Sequence, residues 1–394
     1  MKNTNTNTKI PFFDRSRADT ALFARLSAAF ERVISSGHYI LGPEVQKLEK
    51  TLAQYLGVRN AVALSSCSDA LLCAMLALGV QPGDEIICPA YTFFATAGSI
   101  ARLNARPIFV DIEARSYNLD PKKLQDCIGP KTKGIIPVHL FGCPANLREI
   151  QEIAQAKKLW VIEDAAQALG TKVVGTLEGK VVGTLAQAGT LAQAGCYSFF
   201  PTKNLGGFGD GGLFVSDDDE LSARVQTLRV HGSSRKHHHE RIGGNYRMDA
   251  LQAALLSQKF LHLEEQLLRR KEIARQYDQY FVNRGLASAE DLEDNPIQLG
   301  ARPPGHSFNQ YVIRIRSGKR DFVKAYLEER GVGTEIYYPK PLHMQPAFEA
   351  LGYREGQFPE AERASLESLA LPIFPELLDE EVLYVAEQIA NFFA

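Results

Sequence analysis

The first half of the chain alternates between helical patterns and short apolar runs. Apolar residues recur at helical spacing over residues 15–36, and Pro43 then opens a second amphipathic helix that Gly57 ends. Helical patterns also lie at 69–78, 92–103 and 147–157. Between them, five apolar runs each predict a strand: 61–64, 85–88, 107–110, 134–138 and 159–162. This βαβ alternation predicts an α/β fold with a mostly parallel central sheet that helices cover on both faces.

The pattern changes in the second half of the chain. Strands are predicted at 196–200, 212–216, 311–316 and 333–338, and helices at 249–280, 320–330 and 380–393. We therefore divide the chain into four parts: an N-terminal arm (1–14), a large domain (15–250), a linking helix (251–285) and a smaller α+β C-terminal domain (286–394).

Residues 172–194 contain a tandem duplication. KVVGTL stands at 172–177 and again at 180–185, and GTLAQA stands at 183–188 and again at 189–194. Two copies of units this short are too few for a repeat architecture. We expect the duplication to lengthen a surface hairpin or loop.

Composition is that of an ordinary globular protein. Hydrophobic residues make up 45% and charged residues 23%, and a formal net charge of −2 gives no support for a nucleic-acid partner. The N-terminus lacks the apolar core of a signal peptide, and the apolar stretch at 70–80 is too short to span a bilayer. The cysteines show no CxxC spacing, which favours reduced thiols. We therefore expect a cytoplasmic protein with no membrane partner.

Two motifs that look like ligand sites are set aside. Residues 207–212 match GxGxxG, but an apolar LFV run follows them, which predicts a turn entering a strand rather than a dinucleotide site before a helix. His237, His238 and His239 are consecutive, so they do not share one helix face, and no second ligand cluster accompanies them. We interpret the histidine segment as a solvated basic loop and predict no metal site.

Three other segments carry candidate chemistry because each follows a predicted strand. Small residues at 65–68 open a helix, where free backbone N–H groups favour an anion; simple helix capping is the alternative. Asp164 ends a predicted parallel strand, at the edge where open α/β sheets bind ligands, and a solvated loop carboxylate is the alternative. Lys203 follows another strand and is a candidate amine nucleophile, with a surface lysine as the alternative.

Matching segments along nearly the whole chain point to one family. The chain resembles the DegT/DnrJ/StrS family of fold-type-I pyridoxal phosphate (PLP) enzymes, which aminate nucleotide-linked keto sugars. The segments that carry the resemblance are SGHYILGPEV (36–45), ALGVQPGDEII (77–87), TFFATA (92–97), VHLFG (138–142), IEDAAQALG (162–170), SFFPTKNLGGFGDGG (198–212), GGNYRMDALQAA (243–254) and PLHMQPAF (341–348). The resemblance implies the aspartate aminotransferase-like fold, with a large PLP-binding domain and a smaller C-terminal domain.

The resemblance also implies how the cofactor ring is held. Lys203 would form the Schiff base with PLP and then move a proton between substrate and cofactor. Asp164 would pair with the pyridine nitrogen and so keep the ring an electron sink. Gln167 would reach the ring hydroxyl, and Phe93 would stack on the ring face.

The cofactor phosphate is expected at a second group of residues. By resemblance, Cys67, Ser68 and Ser198 would surround it, and Asn245 would reach it from the other subunit of a homodimer. The family's usual segment at this loop is Ser-Gly-Thr, whereas residues 66–68 here read Ser-Cys-Ser. Backbone N–H groups survive this change, but the cysteine adds a Cβ where the family has none.

The activity that the resemblance implies is a ping-pong aminotransferase reaction. L-Glutamate would convert PLP to pyridoxamine phosphate, and a nucleotide-linked 3-keto or 4-keto hexose would then accept the amino group. The product would be an amino sugar for a surface glycan or a glycosylated metabolite. Two alternatives stay open. One is a PLP-binding sugar dehydratase on the same scaffold, against which Lys203 argues because those relatives carry His there. The other is a non-catalytic regulatory or binding homologue.

Four residues are candidates for substrate contacts. Arg247 suits an anionic group through a two-pronged guanidinium contact, with an interface salt bridge as the alternative. Tyr337 and His343 lie in the segment expected to cover the cofactor, with interdomain packing as the alternative; the family often has His where Tyr337 stands. His139 ends a predicted strand at the same sheet edge, with a purely structural role as the alternative.

Overall fold

The computed structural model describes residues 9–17, 20–177, 180–288, 290, 292 and 294–394, with the backbone alone described at 174–177 and 180–185. The helices are α1 (Thr20–Ser36), α2 (Pro43–Leu56), α3 (Cys67–Ala77), α4 (Ala95–Arg102), α5 (Leu147–Lys157), α6 (Asp219–Leu228), α7 (Ala250–Phe260), α8 (Leu263–Asn283), α9 (Arg320–Glu329), α10 (Pro359–Glu367) and α11 (Asp379–Phe393). The strands are β1 (Asn60–Leu64), β2 (Glu85–Pro89), β3 (Arg106–Val110), β4 (Thr132–Ile135), β5 (Trp160–Asp164), β6 (Lys172–Leu177), β7 (Lys180–Gln187), β8 (Ala194–Ser198), β9 (Gly212–Ser216), β10 (Ser233–Arg235), β11 (His238–His239), β12 (Ile297–Leu299), β13 (Tyr311–Ile315) and β14 (Ser368–Leu371).

A seven-stranded sheet organises residues 60–216, with strand order β1–β9–β8–β5–β4–β2–β3. β9 is antiparallel to both of its neighbours, and the other pairings are parallel. Val62, Ile86, Ile162 and Phe214 on its strands have no exposed surface. The predicted α/β fold with a mostly parallel central sheet is therefore confirmed. Parallel strands bring their carboxyl ends to one edge, and that edge is where a ligand site is expected.

The two N-terminal helices each bury one face. α2 begins at Pro43 and ends before Gly57, whose φ of +71° is the left-handed conformation that glycine adopts freely, as the sequence predicts. α1 begins at Thr20, later than the predicted residue 15, and residues 18–19 lie outside the described part. Its outer face leaves Phe23, Phe30 and Ile34 exposed by 45%, 46% and 46%.

The duplicated segment forms a hairpin that stands off the central sheet. β6 and β7 pair antiparallel from a base at Lys172 and Gln187, and residues 178–179 at the tip lie outside the described part. The chain then returns to the sheet through β8, which places Asp164 opposite Cys196. The prediction that the duplication lengthens a hairpin is confirmed. The first GTLAQA copy lies at the end of β7, and the second leads into β8.

A three-stranded antiparallel sheet, β12–β13–β14, organises the C-terminal part. The predicted strand at 311–316 and the predicted helices at 320–330 and 380–393 are confirmed within a few residues. The predicted strand at 333–338 is wrong: only Glu335 makes a strand-like bridge, to Ala370. The predicted single linking helix is two helices, because the helical run of α7 ends at Phe260 and α8 starts at Leu263. The division of the chain into four parts stays a prediction.

Three further features bear on the sequence analysis. The GxGxxG segment leads into β9, as predicted, and not into a helix. The histidine run lies in the exposed β10–β11 hairpin. Among the described residues, no helix has the length and apolar character needed to cross a membrane.

Candidate active site

Most of the predicted cofactor residues come from loops and strand ends at one edge of the central sheet. Asp164 is the last residue of β5, and Ser198 is the last residue of β8. Ser65 follows β1, and the loop with Phe93 follows β2. Lys203 lies five residues beyond β8, in the loop between β8 and β9. The topology therefore brings together residues that are far apart in sequence.

Asp164 is a buried carboxylate with donors on both oxygens. Its Oδ2 accepts the Thr96 hydroxyl at 2.8 Å, and its Oδ1 accepts the Ala166 N–H at 3.1 Å. Burial raises the pKa of Asp164, while these two hydrogen bonds and the charge of Lys203 oppose the rise. The donors fix the carboxylate at the end of β5, where it suits a protonated ring nitrogen.

The residue before it, Glu163, anchors the end of the duplicated segment. Its Oε2 lies 2.9 Å from His139 Nε2, and neither side chain has exposed surface. Because the Ala145 N–H donates to His139 Nδ1 at 3.0 Å, Nε2 carries the proton and donates it to Glu163. The carboxylate also accepts three backbone N–H groups at 2.6–2.9 Å: those of Gly189, Leu191 and Ala192. Both ring nitrogens of His139 are thus engaged away from solvent, which favours its structural role over the predicted substrate contact.

Lys203 is a partly buried amine. Its backbone N–H donates to the Phe200 carbonyl at 2.9 Å, and the Phe200 N–H lies 3.2 Å from Ser198 Oγ, so the segment makes a tight turn after β8. Burial lowers the pKa of Lys203 to about 8, although the charge of Asp164 opposes the shift. An amine with this pKa is partly neutral near neutral pH, which nucleophilic attack on an aldehyde requires.

The first turn of α3 lies tightly against the start of β9. Ser66 caps the helix by accepting the Asp69 N–H at 3.1 Å, and Cys67 and Ser68 form its first turn. A Cβ on Gly212 would lie 2.3 Å from the backbone carbon of Ser66, so only glycine fits there. The result is a helix N-terminus lined by small residues, which suits a phosphate group.

An exposed aromatic ring lies on the other side of the site. Phe93 is 60% exposed, and its ring centroid lies 6.3 Å from that of Tyr338. Gln167 is buried, accepts the Phe141 N–H at 2.6 Å and hydrogen-bonds Tyr338. The ring of Phe93 is therefore available for stacking, and Gln167 is held by its neighbours.

Asn245 and Arg247 lie on the segment that follows the β10–β11 hairpin. Asn245 is exposed and pairs through its backbone with Val230. Arg247 pairs through its backbone with Leu64, which places it beside the end of β1. Its Nε is buried and has no hydrogen-bond partner within the described part of the chain. A buried guanidinium nitrogen without a partner is suited to an anionic ligand group.

Tyr337 and His343 lie in the C-terminal segment that crosses the loop after β2. The Tyr337 carbonyl accepts hydrogen bonds from the Tyr91 and Ser368 hydroxyls, and burial raises the pKa of Tyr337 to about 12. His343 is 2% exposed, and its Nε2 lies 3.0 Å from Glu362 Oε1. Burial lowers the pKa of His343. The burial of His343 favours the packing alternative, whereas Tyr337 is only half-buried.

Three contacts of the site were not singled out from the sequence: Thr96, Glu163 and Tyr338. Thr96 lies within TFFATA and Glu163 within IEDAAQALG, so both fall in segments already noted. A signal was present for Thr96, because a buried carboxylate at a strand end needs a hydroxyl or amide donor from a neighbouring element. Tyr338 adjoins the predicted Tyr337, and the sequence alone does not distinguish the two tyrosines.

A cavity of about 620 Å³ lies elsewhere, between residues 113–116, 143–148, 172–173 and 301–305. None of the predicted site residues lines it. Arg302 on its wall is held by Asp278 through hydrogen bonds of 2.8 and 3.0 Å. The volume of this cavity therefore does not locate the candidate active site.

The fold and the site together define a class of enzyme. A mostly parallel sheet carries a buried aspartate at the end of one strand, an amine of lowered pKa after another and a helix N-terminus of small residues after a third. These groups fit PLP: a carboxylate for the ring nitrogen, an amine for the aldehyde and N–H groups for the phosphate. This is the arrangement of a fold-type-I PLP-dependent enzyme.

Comparison with known proteins gives the family. The chain belongs to the DegT/DnrJ/EryC1/StrS aminotransferase family, whose model matches residues 22–390. It is 45% identical over 384 residues to the "Pleiotropic regulatory protein" of Geobacillus stearothermophilus, covering 98% of each chain. It is 37% identical over 382 residues to the UDP-2-acetamido-2-deoxy-3-oxo-D-glucuronate aminotransferase of Pseudomonas aeruginosa, covering 97% of this chain and all of that one.

Solved structures agree in fold and cofactor. DesV of S. venezuelae, in complex with a ketimine intermediate, superposes with a TM-score of 0.88 at 35% identity and covers 98% of each chain. NtdA of Bacillus subtilis, with bound pyridoxamine phosphate, superposes with a TM-score of 0.88 at 31% identity and covers 99% of this chain and 86% of that one. The predicted family, the fold, the aminotransferase class and PLP as cofactor are confirmed.

Proposed function

We propose that this chain moves an amino group from L-glutamate to a nucleotide-linked keto hexose, and that it does so as a homodimer with shared active sites. The observation that carries the proposal is that Lys203, whose pKa is lowered to about 8, and the buried carboxylate of Asp164 lie at the same sheet edge and interact electrostatically. Perturbed titratable groups that converge in this way are typical of catalytic sites.

The residues divide the work of holding the cofactor. Lys203 Nζ would bind the aldehyde carbon of PLP, Asp164 would accept a hydrogen bond from the protonated ring nitrogen, and Gln167 would contact the ring hydroxyl. Phe93 would cover one ring face. When bound, PLP supplies the electron sink that makes a proton on the neighbouring carbon of the donor acidic.

A second set of residues would bind the phosphate, and Lys203 would also carry the proton transfers. The N–H groups of Cys67 and Ser68, with the hydroxyl of Ser198, hold the phosphate. Lys203 Nζ would move the proton from Cα of glutamate to the cofactor carbon, because an amine of this pKa is a competent base near neutral pH. In the second half-reaction the same nitrogen would move a proton from the cofactor carbon to the sugar carbon that becomes aminated.

The acceptor is proposed from the name of a relative and from one residue. The Pseudomonas relative is named as acting on a UDP-linked 3-oxo sugar acid. Arg247, whose buried Nε has no partner in the described part, suits a carboxylate of the sugar or of glutamate. We therefore favour a 3-keto over a 4-keto sugar nucleotide. Tyr337 is the proposed neighbour of the sugar, and His343 is kept as a weaker candidate because it is buried against Glu362.

Exposed apolar surface on α1 supports the proposed homodimer. Phe23, Phe30 and Ile34 follow one another along one face of α1 at heptad-like spacing, and each is nearly half exposed. A second copy of the chain would cover this apolar stripe. Asn245 is exposed, as expected of a residue that reaches the partner's phosphate.

The visible absorption spectrum tests the proposal. Protein loaded with PLP should show the band of the lysine-bound cofactor, L-glutamate should bleach it, and a UDP-linked 3-keto sugar should restore it. Lys203→Ala should show no lysine-bound band. If PLP binds and glutamate leaves the spectrum unchanged, the transaminase proposal fails. The regulatory function named for the Geobacillus relative then becomes the leading candidate.

A further inference from the structure

A buried cluster of polar side chains joins the Lys203 segment to the C-terminal part of the chain. Asn204 follows Lys203 directly and is 4% exposed. Its Nδ2 donates to the Leu169 carbonyl at 3.0 Å and to Ser307 Oγ at 3.2 Å. Its Oδ1 accepts from Nδ2 of Asn309 at 3.1 Å, and Asn309 is 1% exposed. Two amides thus face each other away from water.

Asn309 is itself firmly held. Its Nδ2 also lies 3.5 Å from the Thr202 carbonyl, so the pair contacts the residues on both sides of Lys203. The buried Arg270 of α8 donates to the Asn309 carbonyl at 3.2 Å and to the Phe308 carbonyl at 3.3 Å. α8 therefore fixes the backbone from which Asn309 reaches the loop after β8.

The cluster extends to the loop that holds Gln167. The Thr171 hydroxyl donates to the Gly142 carbonyl at 2.9 Å and lies 2.7 Å from Ser307 Oγ. The neighbouring Phe141 N–H binds Gln167 at 2.6 Å. The same buried polar group therefore touches the surroundings of both the reactive amine and the proposed partner of the ring hydroxyl.

Burial of these amides is costly, and within the described part of the chain Asn309 Oδ1 has no hydrogen-bond partner, so the pair is kept against a desolvation penalty. Apolar side chains would hold two segments together at a lower desolvation cost, but they would not fix direction, whereas hydrogen-bonded amides do. We propose that Asn204 and Asn309 are positioning residues that fix the backbone on both sides of Lys203, so that the direction of the amine depends on the 307–309 segment. This inference rests on the proposed role of Lys203.

The first test uses the cofactor-free protein and so does not depend on the proposed activity. Competitive acetylation of Lys203 with acetic anhydride, read by mass spectrometry over a pH series, reports the titration of its amine. The wild-type midpoint is expected near pH 8. In Asn309→Ala the released segment lets water reach the amine, so the midpoint should rise by about one pH unit or more towards that of an ordinary lysine. Amide hydrogen exchange of residues 198–207 should become faster.

The second test uses the PLP-loaded protein. Asn309→Ala should lower kcat with glutamate about 10- to 100-fold, because small misplacement of a reacting group is costly, while KM changes less than about threefold. The pH midpoint of the visible band should shift as well. Asn309→Ser, which keeps a hydroxyl donor, should recover part of each effect. Asn204→Ala should give a similar loss, and the double variant should lose little more, because both remove one bridge.

Tyr311→Phe is the matched control. Tyr311 is 1% exposed, lies two residues beyond Asn309 and donates its hydroxyl to Asp278 at 2.6 Å, so its loss affects stability without touching the Lys203 segment. If Asn309→Ala and Tyr311→Phe both lower only the thermal midpoint, with labelling and exchange at wild-type values, the positioning role is refuted. If the wild type fails to bind PLP or to react with glutamate, the proposed function fails, whereas the labelling result still decides the role of the pair. If Asn309→Ala does not fold, Asn309→Ser decides the question alone.

Discussion

The Thr96 hydroxyl donates to Oδ2 of Asp164 across 2.8 Å, so the first turn of α4 holds the carboxylate at the end of β5. Thr96→Val removes this bond at nearly constant shape. A hydrogen bond to a charged group contributes about 1.5–3 kcal/mol, which corresponds to about 1–2 pH units. Without the donor the carboxyl is protonated more readily, so we expect the acid limb of the pH–rate profile to move up by about that amount. Thr96→Ser is the control, and overlapping profiles for Thr96→Val and wild type would refute the contact's role.

Glu163 should carry a large share of local stability. Glu163→Ala leaves His139 and three backbone N–H groups without their buried acceptor, at about 1–3 kcal/mol for each unsatisfied group. We expect the free energy of unfolding in urea to fall by about 3 kcal/mol or more. Glu163→Gln retains one carbonyl acceptor and should lose less. Equal stability of Glu163→Ala and wild type would contradict this account.

Lys203 gives the loading reaction a definite pH dependence. Only the neutral amine attacks the aldehyde of PLP, and the neutral fraction of a group with a pKa of about 8 rises about tenfold per pH unit below pH 8 and levels off above it. The rate of appearance of the lysine-bound band, followed by stopped-flow absorbance, should show this profile. Lys203→Ala should give no such band. A rate that keeps rising to pH 10 would mean that the amine has an ordinary pKa.

The hairpin tip should be dispensable. Deletion of residues 176–181 leaves the base pairs of Lys172 with Gln187 and Val173 with Ala186, and it leaves the contacts of Glu163 untouched. We expect wild-type PLP affinity and a wild-type kcat within about twofold. Gly189→Val is the disruptive counterpart, because φ at Gly189 is +92° and an added Cβ would lie 2.5 Å from Tyr197 Oη. Loss of PLP binding in the deletion would show that the tip contributes to the site.

Shared active sites can be tested by mixing two inactive variants. A heterodimer of Lys203→Ala with Asn245→Ala contains one intact site if Asn245 crosses to the partner, and none if it serves its own subunit. We expect mixing to restore up to about half of the wild-type activity per heterodimer, against almost none for either parent. Failure of mixing to restore activity, with heterodimer formation shown by native mass spectrometry, would place Asn245 in its own subunit's site.

Much of the fold follows from local pattern. The βαβ rhythm locates β1 to β5 and their helices because buried parallel strands are short apolar runs between amphipathic helices. Pro43 and Gly57 mark α2 because their backbone preferences match a helix start and stop. The segment 333–338 has the composition of a strand without being one, because β-branched and aromatic residues also suit an extended interdomain segment. There the Tyr337 carbonyl is held by side-chain hydroxyls instead of a strand partner.

The candidate site likewise contains residues that the sequence predicts and residues that only the structure identifies. Lys203 and Asp164 are visible from sequence because each follows a strand and lies within a recognisable segment. Asn309 is not, because its role depends on meeting Asn204 across 105 positions of the chain. His139 shows the converse: a histidine at a strand end is equally compatible with a ligand contact and with a structural hydrogen bond. Only the position of Glu163 distinguishes the two.

The two GTLAQA copies are identical and adjacent, so deleting either one yields the same polypeptide. In the folded chain, however, Glu163 accepts hydrogen bonds only from the copy that begins at Gly189. Residues added before Gly189 therefore lengthen the β6–β7 hairpin outside the central sheet and leave the register of β8 with β5 unchanged. The hairpin is consequently a natural insertion point: an epitope tag or a fluorescent reporter spliced at its tip would travel with the folded enzyme.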